Sequence, residues 1–560
     1  MSRRRFAIGF ILSCMIVLSG VGRVEADMRG MILGLKPPKD MHPVQGKRER
    51  KKCSNPIIVT QDGPLRGVTS PEINEYLGIP YAAPPVGSLR WTPPKPHGRW
   101  HGVLEANQPG NVCPQVDYLG NKLGNEDCLF LNVYTPGIKK NQKKRHGLPV
   151  MVWIHGGAMV SGSGIWDDPT WLVTKGGVIV VTINYRLGAL GTFAHPAIDA
   201  EGHLNANYGL MDQQFALKWV KRNISAFGGD PDRVTIFGES AGGLSVYSQL
   251  ASPTAAGLFH RAIAQSGAYG SFASYDQMFF DIPYAEYLAT TYAEGIGCSS
   301  QTAECLRSIP DEVLVRTQFG MFYPVIDGTL LVQPPDKAFT SGQFNHVPVV
   351  TGTNHDESRY NIALDYDYLG KPLTDADYPA AVAKTVQMPI DHPFVELLTQ
   401  FIYPLSNYPP PPGVQSAPLA LGALGTDAGQ ACLGRNAALM LSQYVPTYMY
   451  EFNDQNAPLG WLPPASFPLG AYHSAEIQYL FKPIGIPSQL DPEQQLLSDA
   501  MISYWTQFAA HGDPNSRKTP AWFPYNANVE RVQSLVPPIP AAKFDFDSDH
   551  KCSSFWSQFF

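Results

Sequence analysis

An apolar strand runs directly into a glycine-rich turn at Arg233-Val234-Thr235-Ile236-Phe237-Gly238-Glu239-Ser240-Ala241-Gly242-Gly243. The turn contains the pattern Gly-x-Ser-x-Gly, and a helix-like run begins at Leu244. In a nucleophile elbow, the serine sits on a strained strand-to-helix turn, which projects its oxygen from the edge of a sheet. Glycine is needed two residues before and after the serine because neighbouring chain segments approach closely there. This context predicts that Ser240 is a catalytic nucleophile.

Several other segments have the pattern of strands and helices that would build a sheet around this turn. Continuous apolar runs rich in β-branched residues are typical of strands buried on both faces. The predicted strands are 57–60, 64–65, 149–154, 178–183, 234–237, 348–352 and 447–452, and a predicted helix covers 211–224. Strands that alternate with helical segments predict an α/β fold with a large, mostly parallel central sheet covered by helices on both faces.

A nucleophilic serine also needs backbone N–H groups that stabilise the oxyanion formed in the tetrahedral state. The segment His155-Gly156-Gly157-Ala158 directly follows the predicted strand that ends at Ile154. A loop at this place is expected to supply such donors. We therefore predict an oxyanion hole formed by the N–H groups of Gly157, Ala158 and Ala241.

The general base and its orienting acid must follow the serine in the order serine, acid, histidine. The segment after the strand 348–352 is a polar loop that offers two acids, Asp356 and Glu357. His473 lies in a loop of small residues before an apolar helical segment. Chain order alone favours His473 but leaves His355 and His511 as rivals, and it does not choose between the two acids.

Composition limits the classes of function. The chain has 560 residues, of which 44% are apolar and 16% charged, which is enough apolar material for a large core. The net charge of −6 lacks the basic surplus of a nucleic-acid-binding protein. At roughly 150 residues per domain, the length suggests three or four domains. The spread of the motifs instead predicts one catalytic domain over residues 57–560.

The N-terminus has the pattern of an export signal. Arg3-Arg4-Arg5 precedes an apolar run from Phe6 to Leu18, and Val24-Glu25-Ala26 offers a small-residue cleavage site. We predict a signal peptide at residues 1–26, a basic and disordered tail at 27–56, and a protein secreted to the extracellular space or periplasm, with no membrane span left after cleavage. A retained anchor and a twin-arginine signal are the alternatives.

Eight cysteines fit export to an oxidising compartment. Cys14 belongs to the predicted signal, and Cys53 would be left over as free or removed with the tail. The other six allow three disulfides, whose connectivity does not follow from spacing alone. They are Cys113, Cys128, Cys298, Cys305, Cys432 and Cys552.

The sequence from about Ile57 to Cys552 resembles the type-B carboxylesterase/lipase family, the cholinesterase-like esterases. The segment 227–242, with Phe-Gly-Gly-Asp-Pro and Gly-Glu-Ser-Ala-Gly, is similar to the serine signature of the family. The segment 126–134 is similar to its second signature, with Phe130 where tyrosine is usual. The segments 76–82, 184–188 and 209–213 resemble further blocks of the family.

The resemblance implies an α/β-hydrolase fold with a Ser-Glu-His triad. It favours Glu357 as the acid and His473 as the base of Ser240. It implies disulfides between Cys113 and Cys128, Cys298 and Cys305, and Cys432 and Cys552. It also implies that three buried polar residues support the triad, namely Glu239, Ser266 and Glu476.

The expected reaction is hydrolysis of a small carboxylic ester through an acyl-enzyme, without a cofactor or metal. The loop between Cys113 and Cys128 has no Trp, which argues against choline specificity through a cation–π contact. A lipase for long-chain acylglycerols and a non-catalytic adhesion protein are the alternatives. The sequence leaves open the natural ester, the oligomeric state and the use of the glycosylation sequon at Asn223.

Overall fold

A computed structural model describes residues 56–117, 120–137, 147–268, 278–318, 323–460, 462–526 and 528–559. The predicted signal peptide and almost all of the predicted tail lie outside these residues, as do Cys14 and Cys53. The three expected disulfides are present and join Cys113 to Cys128, Cys298 to Cys305 and Cys432 to Cys552. In the part of the chain that is described, no helix has both the length and the apolar character needed to cross a membrane.

The strands are numbered in chain order. They are β1 Ile57–Val59, β2 Pro64–Arg66, β3 Val68–Thr69, β4 Ile73–Pro80, β5 Leu104–Glu105, β6 Gln115–Val116, β7 Lys122–Leu123, β8 Phe130–Pro136, β9 Leu148–Ile154, β10 Ile179–Ile183, β11 Gly229–Glu239, β12 Arg261–Gln265, β13 Phe280–Asp281, β14 Val325–Ile326, β15 Val349–Asn354, β16 Thr447–Phe452, β17 Val532–Leu535 and β18 Ala541–Lys543.

The α-helices are numbered in the same way. They are α1 Thr170–Gly176, α2 Gly188–Gly191, α3 Pro196–Asp199, α4 Tyr208–Asn223, α5 Ala241–Ala251, α6 Ile282–Gly295, α7 Ala303–Ser308, α8 Asp311–Thr317, α9 Pro335–Ser341, α10 Glu357–Asp365, α11 Tyr378–Val386, α12 Pro393–Leu397, α13 Ala417–Thr426, α14 Cys432–Ser442, α15 Ile477–Leu480, α16 Pro492–His511 and α17 Phe546–Asp549.

One sheet of eleven strands forms the centre of the molecule, in the order β18-β17-β16-β15-β12-β11-β9-β10-β8-β4-β3. The pairings from β17 to β10 are parallel, and those at both ends are antiparallel. The register pairs Gly238 with Ile154 and Glu239 with Gln265. The carboxyl ends of β9, β11, β12 and β15 therefore meet at one edge, where open α/β sheets bind their ligands.

Helices cover both faces of this sheet, as the α/β pattern predicted. On β9, Val150, Val152 and Ile154 pack in one hydrophobic cluster with residues of α4 and α5. Met151 and Trp153, which alternate with them, pack in a second cluster with residues of α1 and α16. Alternate side chains of a strand point to opposite faces, so β9 contributes to two cores.

The predicted strands are present with small shifts in their ends. β11 begins at Gly229 rather than at Val234, with an irregularity in its pairing with β9 between these two residues. α4 begins at Tyr208, three residues before the predicted start. The polar residues at 229–233 interrupt the apolar pattern from which the strand was predicted. Asn207 precedes α4, but its side chain makes no capping hydrogen bond to the first turn.

The sequon at Asn223 lies at the end of α4 and is buried. Its Nδ2 donates a hydrogen bond to Asp62 at 3.0 Å, and its Oδ1 accepts one from the N–H of Gln61 at 2.9 Å. Only 2% of Asn223 is exposed, and attachment of a sugar requires a solvent-accessible amide nitrogen. The folded chain therefore does not offer this sequon for glycosylation.

Candidate active site

Ser240 lies in the turn between β11 and α5, in a backbone conformation that L-residues rarely adopt. Its φ and ψ are 58° and −128°, and its N–H donates to the carbonyl oxygen of Gln265 at 2.9 Å. A Cβ on Gly238 would lie 2.5 Å from the carbonyl oxygen of Ile154, and a Cβ on Gly242 would overlap the same oxygen. The strained turn thus requires both glycines, as a nucleophile elbow does.

His473 lies between the nucleophile and a carboxylate. Its Nε2 is 2.9 Å from Ser240 Oγ, and its Nδ1 is 2.5 Å from Glu357 Oε2. These distances allow a proton to pass from the serine to the imidazole while the carboxylate holds the ring. His473 belongs to the loop that precedes α15, which is where the sequence predicted it.

Glu357 is the first residue of α10 and is almost fully buried. Its Oε1 accepts hydrogen bonds from Thr353 Oγ1 at 2.9 Å and from the N–H of Asn354 at 2.8 Å, which leaves Oε2 facing His473. Both donors come from the end of β15. The sheet edge therefore fixes the carboxylate in the orientation that the imidazole needs.

The alternatives that chain order left open have other partners. Asp356 accepts from the N–H of Ala471 at 3.0 Å and pairs with Arg359 at 2.9 Å. His355 Nδ1 lies 3.0 Å from Asp356 Oδ1. His511 is the last residue of α16. The structure therefore brings together Ser240, His473 and Glu357, the combination that the family resemblance favoured.

Glu239 provides a second carboxylate near the imidazole. Its Oε1 lies 3.4 Å from His473 Nε2 and accepts a hydrogen bond from Ser474 Oγ at 2.7 Å. Burial alone would lower the pKa of His473, but the charges of Glu239 and Glu357 raise it to about 10. Burial raises the pKa of Glu239 to about 8, against the opposing effect of His473. The two carboxylates thus stabilise the imidazolium that forms when His473 takes a proton.

The other two expected supporting residues differ from each other. Glu476 accepts hydrogen bonds from Gln265 Nε2 at 3.1 Å and from Asn354 Nδ2 at 2.7 Å, so it ties the ends of β12 and β15 to the segment after His473. Ser266 has a φ of 46°, and its N–H donates to Gly352. Its buried hydroxyl has no hydrogen-bond partner among the described residues, so any support from Ser266 comes through its backbone.

The loop after β9 passes directly beside the nucleophile. A Cβ on Gly156 would lie 3.0 Å from Ser240 Cβ, and the φ values of Gly157 and Ala158 are 98° and 53°. No described residue accepts a hydrogen bond from the N–H groups of Gly157, Ala158 or Ala241. Ala241 is also the first residue of α5, where the helix dipole favours negative charge. This arrangement is suited to binding an oxyanion.

One group of side chains has a geometry that a metal ion could use. Within the described ranges, His355, Glu451 and Asp549 bring ligand atoms to within 4.8 Å of one another. The ammonium of Lys543 lies 2.8 Å from Glu451 Oε2 and 2.5 Å from Asp549 Oδ2. This lysine already supplies the positive charge that the two carboxylates need, so the donor set does not fit a metal ion.

Sequence reasoning missed Gln265 and Thr353. Gln265 accepts the N–H of Ser240 through its carbonyl and donates to Glu476 through its amide, while Thr353 donates to Glu357. A usable signal was present, because each is a polar residue at the end of an apolar strand. At the carboxyl edge of a parallel sheet, such a residue points toward the ligand site.

Comparison with known proteins gives a consistent result over most of the chain. The sequence model of the carboxylesterase family matches residues 54–548. The chain is 34% identical to a mouse (Mus musculus) acylcarnitine hydrolase over 515 residues, which cover 87% of this chain and 88% of the relative. It is 34% identical to the para-nitrobenzyl esterase of Bacillus subtilis over 494 residues, with coverage of 82% and 91%.

A human (Homo sapiens) cocaine esterase is 32% identical over 518 residues, which cover 87% of this chain and 89% of that protein. Among solved structures, a PNB esterase is similar with a TM-score of 0.73 and 31% identity, covering 90% of this chain and all of the other. A thermophilic PNB esterase is similar with a TM-score of 0.72 and 31% identity, with the same coverage. The match to the family model, over residues 54–548, contains Ser240, Glu357 and His473.

Proposed function

The chain belongs to the carboxylesterase family and hydrolyses carboxylic esters, and we propose that it does so through an acyl-enzyme on Ser240, with His473 as general base and Glu357 as orienting acid. The observation that carries this proposal is the continuous chain of contacts from Ser240 Oγ through both nitrogens of His473 to Glu357, at 2.9 Å and 2.5 Å. Each contact is within hydrogen-bond reach, as nucleophile activation requires.

In the first half-reaction, His473 Nε2 takes the proton of Ser240 while the oxygen attacks the ester carbonyl. Glu357 holds the Nδ1–H and stabilises the imidazolium that forms. The N–H groups of Gly157, Ala158 and Ala241 bind the oxyanion, and loss of one such donor typically lowers turnover by about 10²–10³-fold. His473 then gives its proton to the departing alcohol, which leaves the acyl group on Ser240.

In the second half-reaction, His473 removes a proton from water, and the water oxygen attacks the acyl carbonyl. The same three N–H groups stabilise the second oxyanion. Collapse returns the proton from His473 to Ser240 and releases the carboxylic acid. His473 takes part in every proton transfer, with Ser240, the departing alcohol or water as the other partner.

We also propose that the protein is exported and acts on small-molecule esters. The three disulfides support export, because such bonds persist in oxidising compartments. The relatives are named for hydrolysis of acylcarnitine, para-nitrobenzyl esters and cocaine, which differ widely in acyl and alcohol groups. A short-chain aryl ester is therefore a suitable first substrate, and a panel varying acyl size, alcohol size and charge would define the preference.

The test is substitution of the nucleophile. We expect Ser240→Ala to lower turnover of a short-chain aryl ester by about 10⁶-fold, as loss of a triad nucleophile does. Ser248→Ala is the matched control, because Ser248 is a buried serine on the same helix α5 whose Oγ, among the described residues, bonds only to the carbonyl of Leu244. An organophosphate should label the wild type once per chain and leave Ser240→Ala unlabelled. Turnover of Ser240→Ala within tenfold of the wild type would overturn the proposal.

A further inference from the structure

The general base and its orienting acid come from two separate elements, which must be held at a fixed distance and orientation to each other. Glu357 begins α10, whereas His473 belongs to a loop that lies 116 residues further along the chain. We propose that Asp356 is a positioning residue, which clamps the loop 468–471 to the first turn of α10 and so fixes His473 against Glu357. This inference rests on the proposed triad and adds a residue to it.

The first contact of the clamp joins Asp356 directly to the loop of the base. Asp356 Oδ2 accepts from the N–H of Ala471 at 3.0 Å, two residues before His473, and the N–H of Asp356 donates to the carbonyl of Ala471 at 3.0 Å. The pair of bonds forms a closed ring between the two segments. A carboxylate that accepts from a backbone N–H makes a bond about twice as strong as a neutral pair.

Arg359 adds a second contact from the same turn of α10. Its Nη2 lies 2.9 Å from Asp356 Oδ1, and its Nη1 donates to the carbonyl of Pro468 at 3.3 Å. The loop is thus held at Pro468 and at Ala471, on both sides of Gly470. Only 5% of the Asp356 side chain and 14% of the Arg359 side chain are exposed, so water does not compete strongly with these contacts.

Gly470 shows how closely the two segments are packed. Its φ is 64°, and a Cβ at this position would overlap Asp356 Oδ2 and lie 2.7 Å from Arg359 Nη1. The loop therefore needs glycine both for its backbone conformation and for the approach of the carboxylate. Without a side chain at position 470, the carboxylate can reach the N–H of Ala471.

Further contacts hold Asp356 itself in place as an anion. Gln455 Nε2 donates to Oδ2 at 2.8 Å, and His355 Nδ1 lies 3.0 Å from Oδ1. Burial would raise the pKa of Asp356, but Arg359 and His355 hold it well below its usual range. The carboxylate is bound to the loop at Ala471 and to Gln455, His355 and Arg359, so it acts through position and not through contact with the ester.

The first experiment compares Asp356→Ala with Asp356→Asn. Alanine removes the acceptor of the Ala471 N–H, and a displacement of about 1 Å at a reacting group can cost about 10²-fold in rate. We expect Asp356→Ala to lower kcat for a short-chain aryl ester by about 30- to 100-fold, with KM within about threefold. Asparagine keeps an acceptor oxygen for the Ala471 N–H but loses the ion pair with Arg359, so Asp356→Asn should recover part of the loss and fall between the wild type and Asp356→Ala.

Asp327→Ala is the matched control. Asp327 is a carboxylate that also accepts backbone N–H groups, from Thr329, Leu330 and Leu331, but these bonds lie within its own turn and do not hold the loop of His473. It should lower thermal stability and leave kcat of the folded protein within about twofold. If Asp356→Ala and Asp327→Ala lower kcat equally, or if Asp356→Asn is as slow as Asp356→Ala, Asp356 is not a positioning residue.

A second variant approaches the same junction from the loop. Gly470→Ala should lower kcat because its Cβ pushes Asp356 away, and its effect should be smaller in the Asp356→Ala background. Residues in contact show such non-additivity, whereas independent sites add. Equal effects of Gly470→Ala in both backgrounds would contradict the clamp.

The outcome of Ser240→Ala separates this inference from the proposed function. If Ser240→Ala stays active, the proposed triad is wrong and the clamp falls with it. If Ser240→Ala is inactive and Asp356→Ala keeps kcat within twofold of the wild type, the triad stands and the clamp alone is wrong. The rate of organophosphate labelling of Ser240 gives a second readout and should fall in Asp356→Ala in proportion to kcat.

Discussion

Two buried histidines in this molecule have similar surroundings and different partners. His550 lies between two carboxylates, with Nδ1 2.6 Å from Asp427 Oδ1 and Nε2 2.7 Å from Glu451 Oε1. His473 has one carboxylate, Glu357, on Nδ1 and the hydroxyl of Ser240 on Nε2. In both cases burial would lower the pKa, and nearby carboxylates raise it instead, to about 9 for His550 and about 10 for His473.

The pKa alone therefore does not separate a catalytic from a structural histidine in this protein. The difference lies in what the second nitrogen faces. Both nitrogens of His550 donate to carboxylates, so no nucleophile is placed to exchange a proton with the ring. The ring instead joins the residue after α17 to Glu451 on β16 and to Asp427. Nε2 of His473 faces a hydroxyl that can give up a proton and take it back. A carboxylate on one nitrogen and a nucleophile on the other define the base.

The largest expected effect is on activity, and it tests this difference between the two histidines. We expect His473→Gln to lower kcat by about 10⁶-fold, because loss of the base costs as much as loss of the nucleophile. His550→Gln should keep kcat of the folded protein within about threefold, measured with the same short-chain aryl ester. A comparable loss in both variants, with near-ultraviolet circular dichroism unchanged, would contradict the assignment of His550 to structure alone.

The next effect is on stability, where we expect substitution of His550 to cost more than substitution of His473. Removal of His550 takes away the cation that Asp427 and Glu451 share, while Lys551 and Lys543 remain beside them. Breaking a buried pair typically costs about 3–5 kcal/mol. We expect His550→Gln to lower the free energy of unfolding by this amount at pH 6, measured by urea denaturation. His473→Gln should cost less, since Glu357 keeps its bonds from Thr353 and Asn354.

The same reasoning predicts a pH dependence. The pKa of His550 is raised from 6.5 to about 9 by folding, so its contribution is complete below pH 6.5 and is lost as the pH rises through about 9. A shift of this size corresponds to about 3 kcal/mol. The difference in stability between the wild type and His550→Gln should therefore narrow between pH 6 and pH 9.5. A difference that stays constant or widens over this range would show that His550 is not bound as a cation.

Sequence reasoning found one of these histidines and overlooked the other. Ser240 could be predicted because the elbow is a local pattern, in which glycine spacing and the flanking strand and helix carry the signal. The central strands β9, β10, β11, β15 and β16 followed from their apolar runs, whereas β12 and the outer strands of the sheet were not predicted. His473 needed the resemblance to a family to be separated from His355 and His511. His550 has no local signal, because its partners Asp427 and Glu451 are 123 and 99 residues away.

The contacts of Asp356 could not be predicted from the sequence for a related reason. The sequence presents Asp356 and Glu357 as neighbours with the same chemistry. Which of them faces His473 depends on the direction in which α10 leaves β15, and the other then faces Ala471. For Ser266 the resemblance implied a polar side chain in the support of the triad; its buried hydroxyl has no partner among the described residues, and this role stays a prediction.

Glu239 brings the surroundings of His473 closer to those of His550 and gives the smallest expected effect. Its Oε1 is 3.4 Å from His473 Nε2, beyond the 2.7 Å at which Glu451 holds His550, and it raises the pKa of His473. Glu239→Gln removes the charge that Glu239 carries when it is ionised, which its raised pKa limits at low pH. The pKa of His473 should then fall, and the acid limb of the kcat/KM profile should move to lower pH by up to about 1 unit, which is about 1.4 kcal/mol.

Ser474→Ala is the matched control for this charge. It removes the hydrogen bond that lowers the pKa of Glu239 and leaves the carboxyl in place, so Glu239 carries less negative charge at a given pH. The acid limb of the kcat/KM profile of Ser474→Ala should move to lower pH, as that of Glu239→Gln does, but by a smaller amount. A limb that moves to higher pH in either variant would mean that Glu239 does not act on His473 through its charge. The imidazolium of His473 would then be stabilised by Glu357 alone, unlike that of His550, which Asp427 and Glu451 hold from both sides.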